Sequence, residues 1–200
     1  MLDASLSRAP LPALVEDCVA AGVDWVQVRE RALPGSALLA LCDALRAAAA
    51  RGAARRGGRA RVLVNRRIDV ALAAGADGVH LGGDAVSPAD ARALLGDSAW
   101  IGVSTHAPEE IDAGCGASYA HLAPLFAPLS KTASRPPLGL AALARASARG
   151  LPVLAQGGVT PERIREILAA GAAGVAVTGS VLASDDPAGV VRALRKALDA

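Results

Sequence analysis

The stretch PVLAQGGVTPERIREILAAGAAGVAVTGS, residues 152–180, decides the fold of this chain. It opens on a short apolar run, Pro152–Gln156, which is too brief for a helix and is closed by Gly157 and Gly158. Thr160 follows with a hydroxyl suited to capping a helix, directly before Pro161, whose ring suits the first helical turn. Apolar side chains then recur at helical spacing until Gly171 supplies a stop. A second apolar run, Gly174–Thr178, completes a strand–helix–strand unit, and such a connection makes its two strands parallel with a right-handed crossover.

The unit repeats along the whole sequence. Further strand candidates are Trp25–Arg29, Arg61–Asn65, Gly78–Leu81, Trp100–Ser104 and Tyr119–Pro124. Helical stretches lie near 10–21, 35–55, 67–75, 87–95, 107–115, 139–149, 160–171 and 187–199, with Ser87-Pro88 repeating the cap signal and Gly22 and Gly75 repeating the stop. Regular alternation of this kind predicts an α/β fold of the TIM-type (β/α)8 barrel class. Seven strands are visible where a closed barrel wants eight. The eighth should precede the helix near Pro10, and Met1-Leu2-Asp3-Ala4-Ser5 reads as the tail of a truncated first strand. A shortened strand leaves an edge that favours association with a second copy. No linker or low-complexity tract divides the chain, so a single domain over residues 1–200 is expected.

Composition agrees. With 52% hydrophobic residues in 200, the chain can bury a sizeable core, and with only 2% aromatics that core must be built from Ala, Leu and Val. A net charge of +2 gives no reason to expect nucleic acid. The basic run Arg51-Gly-Ala-Ala-Arg55-Arg56-Gly-Gly-Arg59 lacks aromatic residues for base stacking, and it reads as a solvated helix end and loop. Cys18, Cys42 and Cys115 show no metal-ligand spacing, which fits reduced thiols of a cytoplasmic protein. No apolar segment reaches the roughly 18 residues of a membrane helix, and no signal peptide is visible.

Polar residues gather where the strands end. In Val26-Gln27-Val28-Arg29-Glu30-Arg31, alternation puts Gln27, Arg29 and Arg31 on one face and the valines on the other. Neighbouring guanidinium groups call for an anion, and their fork matches phosphate or carboxylate; a salt bridge with Glu30 or Asp24 is the structural alternative. Asn65 can hold a ligand hydroxyl or amine, or serve a turn. His80 is either a base or hydrogen-bond donor at its strand end, or a satisfied structural histidine. Ser104-Thr105-His106 ends another strand, whereas His121 lies inside one and reads as packing. Ser130 and Lys131 fall in a Pro-rich loop, where the lysine is either solvated or closes over an anionic substrate. Gln156-Gly157-Gly158 and Thr178-Gly179-Ser180 are glycine-bearing turns after the last two strands, a pattern by which barrels bind phosphate through backbone N–H groups.

Several of these segments, in this order, resemble successive signatures of the thiamine phosphate synthase/TenI family over nearly the whole chain. They are Val26–Arg31, Val64-Asn65, Gly78-Val79-His80-Leu81-Gly82, Ile101–His106 and Ala155–Val159, joined by Lys131 with Pro136-Pro137-Leu138-Gly139 and by Gly171–Val177. The resemblance implies an enzyme of thiamine biosynthesis. Its synthase members join hydroxymethylpyrimidine diphosphate to thiazole phosphate and release pyrophosphate with magnesium; its TenI-type members include a thiazole phosphate tautomerase and others without settled roles, and a non-catalytic binder of thiazole or thiamine phosphate is the alternative for this chain. By that resemblance Gln27 and Arg29 contact the diphosphate and pyrimidine, as does Arg31, where the pattern has Lys. Asn65 holds pyrimidine or phosphate and Ser104 lies on the pyrimidine side, with His80 a further substrate-binding candidate. Ser130 and Lys131 hold pyrophosphate, while Gly158, Thr178 and Gly179 receive the thiazole phosphate. Arg29 and Lys131 are the expected catalytic residues.

The sequence also departs from the pattern. Arg66 and Ala85 stand where the synthase has its two magnesium-binding carboxylates, and Asp84 is one position away. A cation for an anion at about 4 Å is unfavourable by roughly 4 kcal/mol per unit-charge interaction at an effective dielectric near 20. No resident metal is therefore expected, although the resemblance alone implies magnesium. Pro128 replaces a loop Thr. Pro124 stands where the tautomerase has its catalytic His, leaving His80, His106 and His121 as stand-ins.

Overall fold

The computed structural model describes residues 1–2, 9–127 and 135–200. These divide into two compact units: Met1–His80 with Thr178–Arg195, and Leu81–Val177 with Lys196–Ala200. The elements in chain order are α1 (Leu11–Ala20), β1 (Trp25–Val28), α2 (Gly35–Arg55), β2 (Arg61–Asn65), α3 (Ile68–Ala73), β3 (Gly78–Leu81), α4 (Pro88–Leu95), β4 (Trp100–Thr105), β5 (Tyr119–Leu122), α5 (Gly139–Ser147), β6 (Val153–Gln156), α6 (Ile164–Ala169), β7 (Gly174–Ala176), α7 (Gly179–Leu182) and α8 (Pro187–Leu198). This is the α/β alternation expected from the sequence, with seven strands among the described residues.

In the first unit β1 pairs with β2, and β2 with β3, all parallel. Leu2 adds a parallel bridge to Val28, its N–H donating to the Gln27 carbonyl at 2.7 Å. The expected strand tail is therefore seen at one residue. Helix α2 buries Leu38, Cys42, Leu45, Ala49 and Ala53, a spacing of three and four that forms one apolar stripe. Helix α2 packs against α1, whose own buried residues are Leu11, Leu14, Val15, Cys18 and Val19. Gly52 marks the closest approach, since a Cβ there would stand 2.3 Å from the Glu16 carbonyl oxygen. Burial pushes the Cys18 and Cys42 thiols up to about 11, so both remain protonated near neutral pH.

In the second unit β4, β5, β6 and β7 pair in that order, again parallel. Helix α4 begins as its sequence signal says: Ser87 Oγ accepts from the Asp90 N–H at 3.1 Å and donates to the Asp90 carboxylate at 2.6 Å. The helix expected over 107–115 is instead two 3-10 turns, Pro108–Glu110 and Ala113–Cys115. Asp112 separates them, its carboxylate accepting from the Gly114 N–H at 2.8 Å in a local turn that competes with helix. The strands ending at Val28, Leu122 and Ala176 are shorter than predicted by Arg29, by Ala123-Pro124 and by Val177-Thr178. The short helix α7 lay inside a stretch read only as a glycine turn.

Candidate functional site

Within the first unit, register brings Gln27, Asn65 and His80 together. Gln27 pairs with Leu63, and Asn65 lies two residues beyond on the same face, within diagonal reach. Gln27 Nε2 donates to Asn65 Oδ1 at 3.0 Å. The Gln27 side chain is 5% exposed, and its Oε1 is buried with no hydrogen-bond partner among the described residues. An orphaned acceptor in such a place costs free energy until a donor arrives, which suits a ligand amine or N–H. Asn65 is in turn the register partner of His80. Burial lowers the His80 pKa to about 4, so its imidazole is neutral near pH 7 and acts through hydrogen bonds rather than charge.

The arginines leave the strand. Arg29 is half-buried and Arg31 exposed, both beyond the end of β1, so the single polar face predicted for residues 27–31 holds only at Gln27. Arg66 takes φ of 67°, a left-handed conformation unusual for a side chain of its size, and its N–H donates to the His80 carbonyl at 2.9 Å. Arg67 is engaged elsewhere: two bonds of 2.9 and 2.6 Å join it to Asp69, whose carboxyl this pairing holds down at about 2. Thr178 and Gly179 open α7, and Thr178 Oγ1 is a second buried atom with no partner among the described residues.

Within the second unit the ends of β4, β5 and β6 carry the polar groups. Ser104 is half-buried, while Thr105 is turned inward and donates to the His121 carbonyl at 3.0 Å. His121 is buried beside the Tyr119 ring at 5.4 Å, a packing position as expected. His106 Nδ1 lies 2.7 Å from the Ala123 carbonyl. A carbonyl only accepts, so Nδ1 is the donor here, and it is Nε2 that is left to face other groups.

The Gln156–Gly158 turn is held from several sides. The Gln156 carbonyl accepts from the Leu125 N–H at 2.7 Å, and the Gly157 carbonyl from the Phe126 N–H at 3.1 Å. The Gly158 carbonyl accepts from Arg163 Nη1 at 2.7 Å. Three successive carbonyls are thus engaged, while the amides of Gly158 and Val159 donate to no described residue. Gly158 has φ of 63°, and a Cβ on it would stand 2.5 Å from the Ala127 carbonyl oxygen and 2.6 Å from Phe126 Cβ. Glycine is therefore required by packing, and the packing leaves buried N–H groups of the kind that receive an anion.

Ser130, Lys131 and Pro128 lie outside the described residues. Phe126 and Arg163 are the residues the sequence reading passed over. One signal for Phe126 was available, because it is the chain's single phenylalanine. Arg163 looks in sequence like an ordinary solvated helix-start arginine. As for magnesium, no group of three or more His, Cys, Asp or Glu that could hold a metal occurs among the described residues. Arg66 stands at one position the resemblance gives to a carboxylate and Ala85 at the other, so the donor set does not fit that ion.

Parallel strands joined by helices, with polar side chains and glycine turns at the strand ends, define an α/β fold of the kind that binds phosphorylated small molecules. Comparison with known proteins narrows the class. Residues 2–181 match the family model described as thiamine monophosphate synthase. Two relatives called thiamine-phosphate synthase are each 40% identical: one from Methanoculleus marisnigri, over 88% of this chain and 82% of that protein, and one from Anaeromyxobacter dehalogenans, over 91% and 80%. Among solved structures, a thiamine phosphate pyrophosphorylase from Pyrococcus furiosus superposes with a TM-score of 0.84 at 27% identity, covering 98% of this chain and 92% of that one. The chain belongs to the thiamine monophosphate synthase family.

Proposed function

We propose that this protein joins hydroxymethylpyrimidine diphosphate to thiazole phosphate, forming thiamine phosphate and pyrophosphate. The observation that carries the reading is the Gln27–Asn65 pair with the buried, open Gln27 Oε1, at the position the family resemblance gives to the pyrimidine. Relatives about 40% identical over most of the chain bear the synthase name, which supports the same activity here. Residues 1–200 act in this reading as one catalytic domain working on soluble metabolites in the cytoplasm; no described helix is long and apolar enough to cross a membrane.

The bond between the pyrimidine's methylene carbon and the diphosphate oxygen breaks first, and its electron pair leaves with pyrophosphate. The thiazole nitrogen then gives its lone pair to that carbon, so no proton need move. Stabilising the departing anion is the main demand on the protein, met by Arg29 and Lys131 with Ser130. Arg31 adds positive charge at the rim. Gln27, Asn65 and neutral His80 orient the pyrimidine, and the backbone of the Gly158 turn receives the thiazole phosphate. Incubation with both precursors, with magnesium and with EDTA, tests this. Equal yields of thiamine phosphate and pyrophosphate are expected, with turnover surviving EDTA.

One observation favours a second reading, thiazole phosphate tautomerase: His106, held by the Ala123 carbonyl beside Pro124, presents Nε2 as a base. Failure of the condensation, together with tautomer interconversion that His106→Asn abolishes, would decide for it. Tight binding of thiazole phosphate without either reaction would make the protein a binder.

A further inference from the structure

We infer that Arg163 is a positioning residue for phosphate: it touches no substrate and instead fixes the peptide whose amides do. The inference rests on the proposed role of the Gly158 turn in holding thiazole phosphate. Its observations all lie within the second unit. Arg163 Nη1 donates to the Gly158 carbonyl at 2.7 Å, and the guanidinium carbon sits 4.3 Å from the centre of the Phe126 ring. The aromatic face and the carbonyl together satisfy one planar cation, which arginine does and lysine cannot do equally well.

The consequence runs through the peptide plane. Holding the Gly158 carbonyl fixes the Gly158–Val159 peptide, and with it the direction of the Val159 N–H. Phe126 Cβ and the Ala127 carbonyl also stand against Gly158, at the distances that forbid a side chain there. The turn is clamped between the start of the β5 loop and the Arg163 side chain. An anion arriving at amides so held meets groups already aimed, with no reorganisation to perform. Arg163 also places a positive charge one peptide away from that anion, adding attraction without contact.

The test uses the whole chain in three forms: wild type, Arg163→Gln and Arg163→Lys, with Phe126→Leu as an independent route to the same clamp. Thiazole phosphate and inorganic phosphate are titrated while the backbone amide resonances of Gly158 and Val159 are followed, and KM is measured for each precursor separately. Arg163→Gln should weaken thiazole phosphate binding by about tenfold and raise its KM to match, with the KM for the pyrimidine diphosphate changing less than about twofold. Arg163→Lys should fall between. Phe126→Leu combined with Arg163→Gln should be no worse than Arg163→Gln alone, because both act through one contact. If wild-type amides shift but Arg163→Gln binds like wild type, the positioning role is overturned and the phosphate turn stands. If neither amide responds to either probe, the phosphate reading itself fails and the positioning role goes with it. Should Arg163→Gln not fold, the lysine and Phe126→Leu forms give the same decision.

Discussion

Gln27 has one end of its amide engaged and the other open. Its Nε2 is used on Asn65, while its Oε1 is left buried and unanswered among the described residues. Gln27→Ala should therefore raise the KM for the pyrimidine diphosphate by roughly tenfold, the value of one or two buried hydrogen bonds. Asn65→Ala added to it should cost little more, since the two side chains work as a pair; steady-state kinetics of the two single variants and the double variant check this. The sequence made Gln27, Asn65 and His80 visible because a polar residue at the end of an apolar run has few structural reasons to be there. It could not make Arg163 visible. What distinguishes that residue is a carbonyl and a ring brought to it from other segments by the pairing of β5 with β6, and neither has a sequence signature.

At the scale of elements, α1 and α2 pack so closely at Gly52 that propensity and packing give opposite answers. Helix propensity alone says that Gly52→Ala stabilises by up to about 1 kcal/mol. The 2.3 Å approach to the Glu16 carbonyl says that the helices must separate, at a cost of about 1–3 kcal/mol. Packing should win. Urea unfolding is expected to show a lower midpoint for Gly52→Ala, and a higher one would mean that the two helices slide freely. Elements were the most legible level of this chain: each strand of the described residues lies within a predicted run or overlaps it closely, because turn residues and caps punctuate them. Residues 107–115 departed from the expected helix for a local reason. Asp112 offered the backbone a competing hydrogen bond that helical periodicity does not register.

For the whole molecule, His80 couples the candidate site to stability. Its folded pKa of about 4 lies below the ordinary histidine value of 6.5. The unfolded chain therefore binds the proton more readily, and stability contributed by neutral His80 is present above about pH 6.5 and lost as pH falls through about 4. The full difference is about 3 kcal/mol by the usual conversion of pKa into free energy. Unfolding free energies measured from pH 7 to pH 4 should fall, and His80→Asn should flatten much of that slope. A slope untouched by the substitution would mean that His80 is not the group that titrates.

The basic run that the sequence offers as free charge has a different place in the molecule. Arg51 meets Glu16 at 2.7 Å, Arg55 meets Asp17 at 2.9 Å, Arg56 meets Asp24 at 3.3 Å and Arg59 meets Asp77 at 2.8 Å. Arg195 also closes on Asp24. Asp24, Arg59 and Asp77 all stand just before strands, at the opposite end from Gln27, Asn65 and His80. These exposed pairs are screened by salt, each worth at most about 1 kcal/mol. With substrate bound where we propose, ionic strength and substrate act on opposite ends of the same three strands. Raising sodium chloride should lower the melting temperature by a few degrees through the arginine end, while a phosphorylated ligand restores it from the other, so that salt tolerance becomes a property the protein acquires on binding.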